Sequence, residues 1–149
     1  MSHRSTPMLV ILMVLIAVAT FAVAGEHECL PMTVCFTPGG NCTALIVQAL
    51  NTAKRTVLVQ AYSFTSAPIA KALLDAHKRG VQVQVILDKS QRSEKYSSAD
   101  FLANQGVPTM IDATHAIAHN KVIIIDGETV LTGSFNFTKA GKRRTPRTC

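Results

Sequence analysis

The order of apolar periods along this chain predicts an α/β layered domain with a mixed central sheet flanked by helices. Short β-branched runs alternate with amphipathic helical stretches, and a closing hairpin adds antiparallel strands to the series. No internal repeat, linker or low-complexity segment breaks the alternation, so one domain is expected over residues 25–140.

Residues 32–37 read as a first strand, and 43–53 as a helix with Leu45, Ile46, Ala49, Leu50 and Ala53 on one face. Residues 56–61 form the next strand. Ser66, with Pro68 just behind it, starts a helix over 66–79 whose buried stripe is Ile69, Ala70, Leu73 and Leu74, and Gly80 stops it. Residues 81–87 are a strand, 98–105 a helix ended by Gly106, and 108–111 a strand. The run Lys-Val-Ile-Ile-Ile at 121–125 has the composition of a strand buried on both faces. Asp126-Gly127 is a tight hairpin turn, and 129–132 return as the partner strand.

Most of the chemistry is concentrated in that hairpin. His119-Asn120-Lys121, then Asp126, then Gly133-Ser134-Phe135-Asn136 provide one nucleophile, one fixed cation and two neutral hydrogen-bonding side chains. Residues two apart on a strand share a face, so His119 and Lys121 are expected in one pocket. If the return strand stays extended, Ser134 and Asn136 arrive beside them, where they can bind phosphate oxygens. Asp126 falls at the turn, an odd number of positions from Lys121, and is assigned first to holding the turn and strand end.

This spacing resembles the His-x-Lys-x4-Asp signature of the phospholipase D superfamily, with the Gly-Ser-x-Asn extension of its small bacterial nucleases. The likeness runs over about 34–140, through Val59-Gln60-Ala61-Tyr62-Ser63-Phe64-Thr65-Ser66, Arg79-Gly80-Val81 and Leu87-Asp88-Lys89-Ser90. The resemblance implies a phospholipase D-like sandwich and an exported phosphodiesterase that cuts DNA or RNA through a phosphohistidine. It makes His119, Lys121 and Asp126 catalytic, with Ser134 and Asn136 binding substrate. The turn from Tyr62 to Ser66 is a candidate for the pocket floor, against the plainer reading of a well-packed strand-to-helix turn. A neutral imidazole attacks phosphorus, a second one protonates the leaving oxygen, and lysines supply positive charge, so no metal or cofactor is expected. That scheme needs two histidines and two lysines where this chain has one of each in the motif. The resemblance implies a homodimer in which two copies of the motif share one site.

Other readings stay open. The same chemistry serves a phospholipase D acting on phospholipid head groups, and a truncated remnant that merely binds polyanions is the non-catalytic alternative. His115 and His119 are spaced as a helical metal pair, but no Glu follows His115 and the Ile-rich strand is the wrong context, so zinc is not expected.

The front of the chain reads as an export signal over 1–24: Arg4, then seventeen nearly all-apolar residues from Met8 to Ala24, then small residues before Gly25. An uncleaved membrane anchor is the alternative. Export predicts a periplasmic or secreted location, where cysteines oxidise. Cys35 and Cys42 flank a strand end and turn and are predicted to form a disulfide, while the pairing of Cys29 and Cys149 is open.

The formal charge of the chain is +6, but residues 25–138 hold nine Lys/Arg and nine Asp/Glu. The surplus sits in Arg4 and in Lys139, Lys142, Arg143, Arg144 and Arg147, so a basic pI is no property of the domain. Residues 141–149 form a basic tail that continues neither helix nor strand. Members of the superfamily run on there through an Asn-x-Glu-Asn segment, a strand and a closing helix. With one choice of synonymous codons for 141–149, reading two bases later yields Lys-Lys-Lys-Asn-Ala-Glu-Asn-Leu, so the tail is expected to be a frameshift product. In the family that Glu accepts a hydrogen bond from the catalytic imidazole, and by spacing its position here is Arg147, whose charge would disfavour an imidazolium. The chain as written is therefore expected to be weakly active or inactive, and a frame-restored chain active. Assaying both on a nuclease substrate checks this, and equal rates would show the tail to be harmless.

Overall fold

The computed structural model describes residues 31–37, 40–94 and 97–138. The expected signal over 1–24, Cys29, Cys149 and the tail over 141–149 lie outside the described residues. The chain divides into two compact units, Met1–Thr33 and Val34–Cys149, and the described strands and helices belong to the second.

Five strands form one mixed sheet in the order β3-β2-β1-β4-β5. β1 (Thr56–Ala61), β2 (Gln82–Asp88) and β3 (Thr109–Asp112) run parallel. β4 (Lys121–Ile125) is antiparallel to β1, and β5 (Thr129–Thr132) is antiparallel to β4. Helix α1 (Cys42–Thr52) precedes β1, while α2 (Ala67–Lys78) and α3 (Ala99–Asn104) make the crossovers that parallel strands require.

Period-two alternation decides which face is core. Val57, Val59, Ala61, Val83, Val85, Leu87, Ile123 and Ile125 are buried with Ile46 and Leu50 of α1, Ile69 and Leu73 of α2, and Leu102 of α3. The other face is more open, with Leu58 44%, Met110 55% and Val130 61% exposed. Val122 and Ile124 are only half-buried there, which corrects the expectation that β4 is buried on both faces. The three described helices share one core with the opposite face of the sheet.

Helix ends follow local chemistry. Asn41 caps α1 by accepting the Ala44 N–H at 3.2 Å. Ser66 precedes α2, with Pro68 in its first turn, as expected, although the Ser66 side chain makes no capping bond. Gly80, at φ 90°, ends α2: its N–H reaches the His77 carbonyl at 2.9 Å and the Val81 N–H reaches Ala76 at 3.2 Å, a Schellman pattern that needs a residue free to turn left-handed. Leu45, expected on the buried face of α1, is 39% exposed.

The strand expected over 32–37 is absent: 31–36 carry no regular structure, and Met32, Val34 and Phe36 are 85%, 59% and 79% exposed. β-branched composition makes a strand only where a neighbouring edge accepts its hydrogen bonds, and none of the five strands pairs with this segment. What ties it down is the Cys35–Cys42 disulfide, with Cα atoms 5.7 Å apart, at the start of α1.

The β4–β5 turn is left-handed at both central residues, Asp126 (φ 56°) and Gly127 (φ 76°), and Glu128 N–H closes it on the Ile125 carbonyl at 3.0 Å. The Asp126 carboxylate accepts the N–H groups of Lys54 (3.0 Å), Arg55 (2.7 Å) and Thr56 (2.9 Å). It thereby fixes the entry of β1 against the exit of β4. Those amides, Thr56 and Arg55 foremost, hold the carboxyl below the ordinary carboxylate range against the opposing effect of burial. A folded-state pKa below the unfolded value of about 3.9 means the ionised group stabilises the fold above about pH 4, and that support fades as pH falls through the folded value. Asp126→Asn should therefore melt below the parent at pH 7, with the gap narrowing below about pH 4. Calorimetry from pH 2 to 7 checks this; curves that stay parallel would show that the charge contributes nothing.

Candidate active site

The parallel strands β1, β2 and β3 end, and β4 begins, at one edge of the sheet, the edge at which open α/β sheets bind ligands. Lys121 is the first residue of β4 and pairs with Ala61, the last of β1. It shares strand parity with Ile123 and Ile125, so its side chain lies on the helix-covered face, and it is 5% exposed. The ammonium donates to the His119 carbonyl at 3.1 Å and stands 5.3 Å from the centre of the Tyr62 ring. Among the described residues no carboxylate pairs with it. Burial accordingly pushes the Lys121 pKa below the ordinary lysine value.

Tyr62 joins the two functional side chains. Its N–H reaches the Asn120 carbonyl at 2.8 Å, extending the β1–β4 ladder by one rung. Its ring meets the His119 imidazole edge-on, with centroids 4.5 Å apart at 62°. His119 itself is exposed to solvent, two residues before the start of β4. An imidazole open to solvent and a desolvated ammonium with no carboxylate partner among the described residues thus flank one phenol ring.

Asp126 is not brought to this place. It lies five residues beyond Lys121 at the other end of β4, a separation of about 16 Å at strand rise, and its oxygens are spent on backbone amides. Ser134 and Asn136 do reach the His119 end of the sheet, but not as an extended strand: β5 stops at Thr132. The chain then crosses to the Tyr62 turn. Phe137 forms a parallel bridge with Phe64, its carbonyl accepts the N–H groups of Thr65 and Ser66 at 2.9 Å each, and its ring packs edge-on against Phe64 at 6.3 Å. Ser134 is exposed, whereas the Asn136 Oδ1 is buried with no hydrogen-bond partner among the described residues. Among the described residues no hydrogen bond joins either side chain to His119 or Lys121.

Two buried polar side chains for which the sequence reading assigns no role lie beneath these loops. Asp88, 2% exposed, ends β2, and its Oδ2 accepts the Ala118 N–H at 2.7 Å. Gln91, 3% exposed, accepts the Phe64 N–H at 3.0 Å. A carboxylate directly after the apolar run 85–87 was the available signal, but its partner is thirty residues away. His115 is held by Asp112 at 2.6 Å on the loop leading to His119. Among the described residues no group of three His, Cys, Asp or Glu side chains converges as a metal site would need. Surface grooves of about 330 and 950 Å³ are lined by neither His119 nor Lys121, and His119 lies open to solvent at the rim of the sheet.

Comparison with known proteins puts this geometry in context. The family profile described as cardiolipin synthase, PLD-like domain, matches residues 46–145. A phospholipase D of Rickettsia bellii is 43% identical over 113 residues, which are 76% of this chain and 56% of that protein, so the chain spans little more than half of that relative. Among solved structures, Nuc of Salmonella typhimurium, a phospholipase D family member, superposes with a TM-score of 0.70 at 42% identity over 74% of each chain. NucT of Helicobacter pylori superposes at 0.58 with 28% identity, over 66% of this chain and 68% of its own.

Lys121 contributes little to folding if its charge is held out of water with one acceptor and a ring for company. Lys121→Met, which keeps the apolar stem and removes the charge, is expected to hold or raise the melting temperature at pH 7. A fall of more than about 4 °C, roughly 1 kcal/mol for a domain of this size, would show that the ammonium stabilises the fold.

Proposed function

The chain belongs to the phospholipase D-like domain family, and from that membership we propose that it is an exported phosphodiesterase that hydrolyses DNA or RNA without a metal, through a phosphohistidine on His119. The observation that carries this reading is the buried ammonium of Lys121, without a carboxylate partner among the described residues, beside the exposed imidazole of His119, with Tyr62 touching both. A phosphodiester brings the negative charge that the ammonium lacks, and the cation offsets the charge that repels an attacking nucleophile.

A ring nitrogen of His119 attacks phosphorus, the bond to the leaving oxygen breaks, and a second imidazole gives that oxygen its proton. Water then attacks phosphorus, the second imidazole takes the water proton, and the phosphorus–nitrogen bond breaks to return free His119. The motif supplies one imidazole per chain, so we assign the second to His119 of another copy, in a homodimer with one shared site. The exposure of His119 at the rim of the sheet supports both access for a long polymer substrate and completion by a second copy. Ser134 and Asn136 are assigned to the phosphate oxygens, and Asp126 acts through the fold, not on the substrate. The apolar segment at 8–24 and the Cys35–Cys42 disulfide support an oxidising location outside the cytoplasm.

A second reading has its own support, because the Rickettsia bellii relative is named a phospholipase D. Plasmid DNA, RNA and phosphatidylcholine vesicles, each assayed in chelator on the chain as written and on the frame-restored chain, separate the two. Nucleic-acid cleavage without choline release is expected, and choline release alone would favour the lipid. In whichever chain is active, His119→Ala should lower turnover by about 10³-fold or more. Turnover within threefold of the parent would leave the catalytic role of His119 without support, and nucleic-acid binding lost only when Lys142, Arg143 and Arg144 are neutralised would favour a polyanion-binding remnant. Activity should co-elute with dimer on gel filtration, and an active monomer would exclude the shared site.

A further inference from the structure

The His119 loop and the Tyr62 loop come from distant parts of the chain, yet their contact depends on the placing of both rings. Each loop is tied by a backbone N–H to the same short segment, Asp88 and the 3-10 turn Lys89–Arg92 that follows it. Asp88 Oδ2 takes the N–H of Ala118, the residue before His119, at 2.7 Å, and Oδ1 takes the Ser90 N–H at 2.9 Å. Gln91 Oε1 takes the N–H of Phe64, two residues after Tyr62, at 3.0 Å, and the Ser97 hydroxyl at 3.2 Å. The carbonyl of the same Phe64 accepts the Ser98 N–H at 2.8 Å. Both acceptors are buried, so neither amide can turn to water if its partner is removed.

A buried carboxylate needs a reason, and no ion pair supplies one for Asp88 among the described residues. Burial works against its ionisation, but the amides of Ala118 and Ser90 outweigh that and hold its carboxyl below the ordinary range. Two acceptor oxygens on a short, stiff side chain are what this position uses. One secures the segment's own turn and the other secures the loop that delivers the imidazole.

We propose that Asp88 and Gln91 are positioning residues of the catalytic site: from one segment they fix the loops bearing His119 and Tyr62, and so set the orientation of the imidazole toward phosphorus. The inference rests on His119 being the nucleophile, but its physical core, the placement of the ring, can be read without any substrate.

The test pairs two readouts on Asp88→Ala, Asp88→Asn and Gln91→Ala. By proton NMR, the His119 ring resonances, shifted by the Tyr62 ring, should move and broaden in both alanine variants while those of His77 stay in place. Asp88→Asn keeps an oxygen for the Ala118 N–H and should restore most of the parental shift. In the active chain, Asp88→Ala should lower kcat by about 10–100-fold with KM changed less than about threefold, the signature of a misplaced group and not of lost binding. Unmoved His119 resonances, or kcat within twofold of the parent, would overturn the proposal. If Asp88→Ala loses its native circular dichroism, the same readings on Gln91→Ala decide. Should His119→Ala leave turnover intact while Asp88→Ala still displaces the imidazole resonances, the enzymatic reading fails and the clamp stands.

Discussion

Lys121 keeps a charge out of water at the first rung of β4, and the rest of this edge is arranged around that one desolvated ammonium. Strand parity forces it inward: Ile123 and Ile125 must face the helices, so Lys121 faces them too. A register slip of one residue would free the lysine but would turn both isoleucines to the open face of the sheet. The cost of the buried charge is thus carried by the apolar surface next to it in the same strand. A backbone carbonyl and the Tyr62 ring offset part of it, and an arriving phosphate offsets the rest on the proposed reading.

The signature divides its labour between the two ends of one strand. At the far end Asp126 gathers three amides of the β1 entry and so joins the two central strands, which run antiparallel. At the near end Lys121 and His119 meet Tyr62 where β1 ends and β4 begins. Because β1 and β4 are locked at Asp126 and in register throughout, the placing of Ala61 opposite Lys121 follows from the hairpin end. An aspartate far from His119 can therefore matter to its placing through register alone.

Local chemistry was legible in the sequence, and tertiary pairing was not. The strands at 56–61, 121–125 and 129–132 appear with the bounds that their composition implies, and Gly80 and the Asp126-Gly127 turn act as their backbone freedom demands. Asp126 could be assigned to the strand end because its position at a turn and its odd offset from Lys121 are local facts. The segment 32–37 misled because strand composition says nothing of whether an edge is there to receive it. Ser134 and Asn136 left the ladder because Phe137 finds a deeper place against Phe64 than another rung would give, with Phe137 3% and Phe64 0% exposed. Asp88 and Gln91 act on amides thirty and twenty-seven residues away, distances over which no periodicity speaks.

Charge balance bears on how such a site would meet a polyanion. The stretch 25–138 is neutral overall, so long-range steering by a basic field is weak, and affinity must come from a few close contacts. A single desolvated lysine suits that requirement, because its attraction for phosphate is felt at short range in a medium of low dielectric and is little screened by salt. The same locality argues for two copies on the proposed reading. One ammonium and one imidazole can hold and attack a phosphodiester, but the departing oxygen leaves from the opposite side of phosphorus, where a proton donor must already stand. A second His119 related by a twofold axis through the phosphate would occupy that position with no further residue type. The symmetry would then do for the short chain what a second motif would do for a longer one.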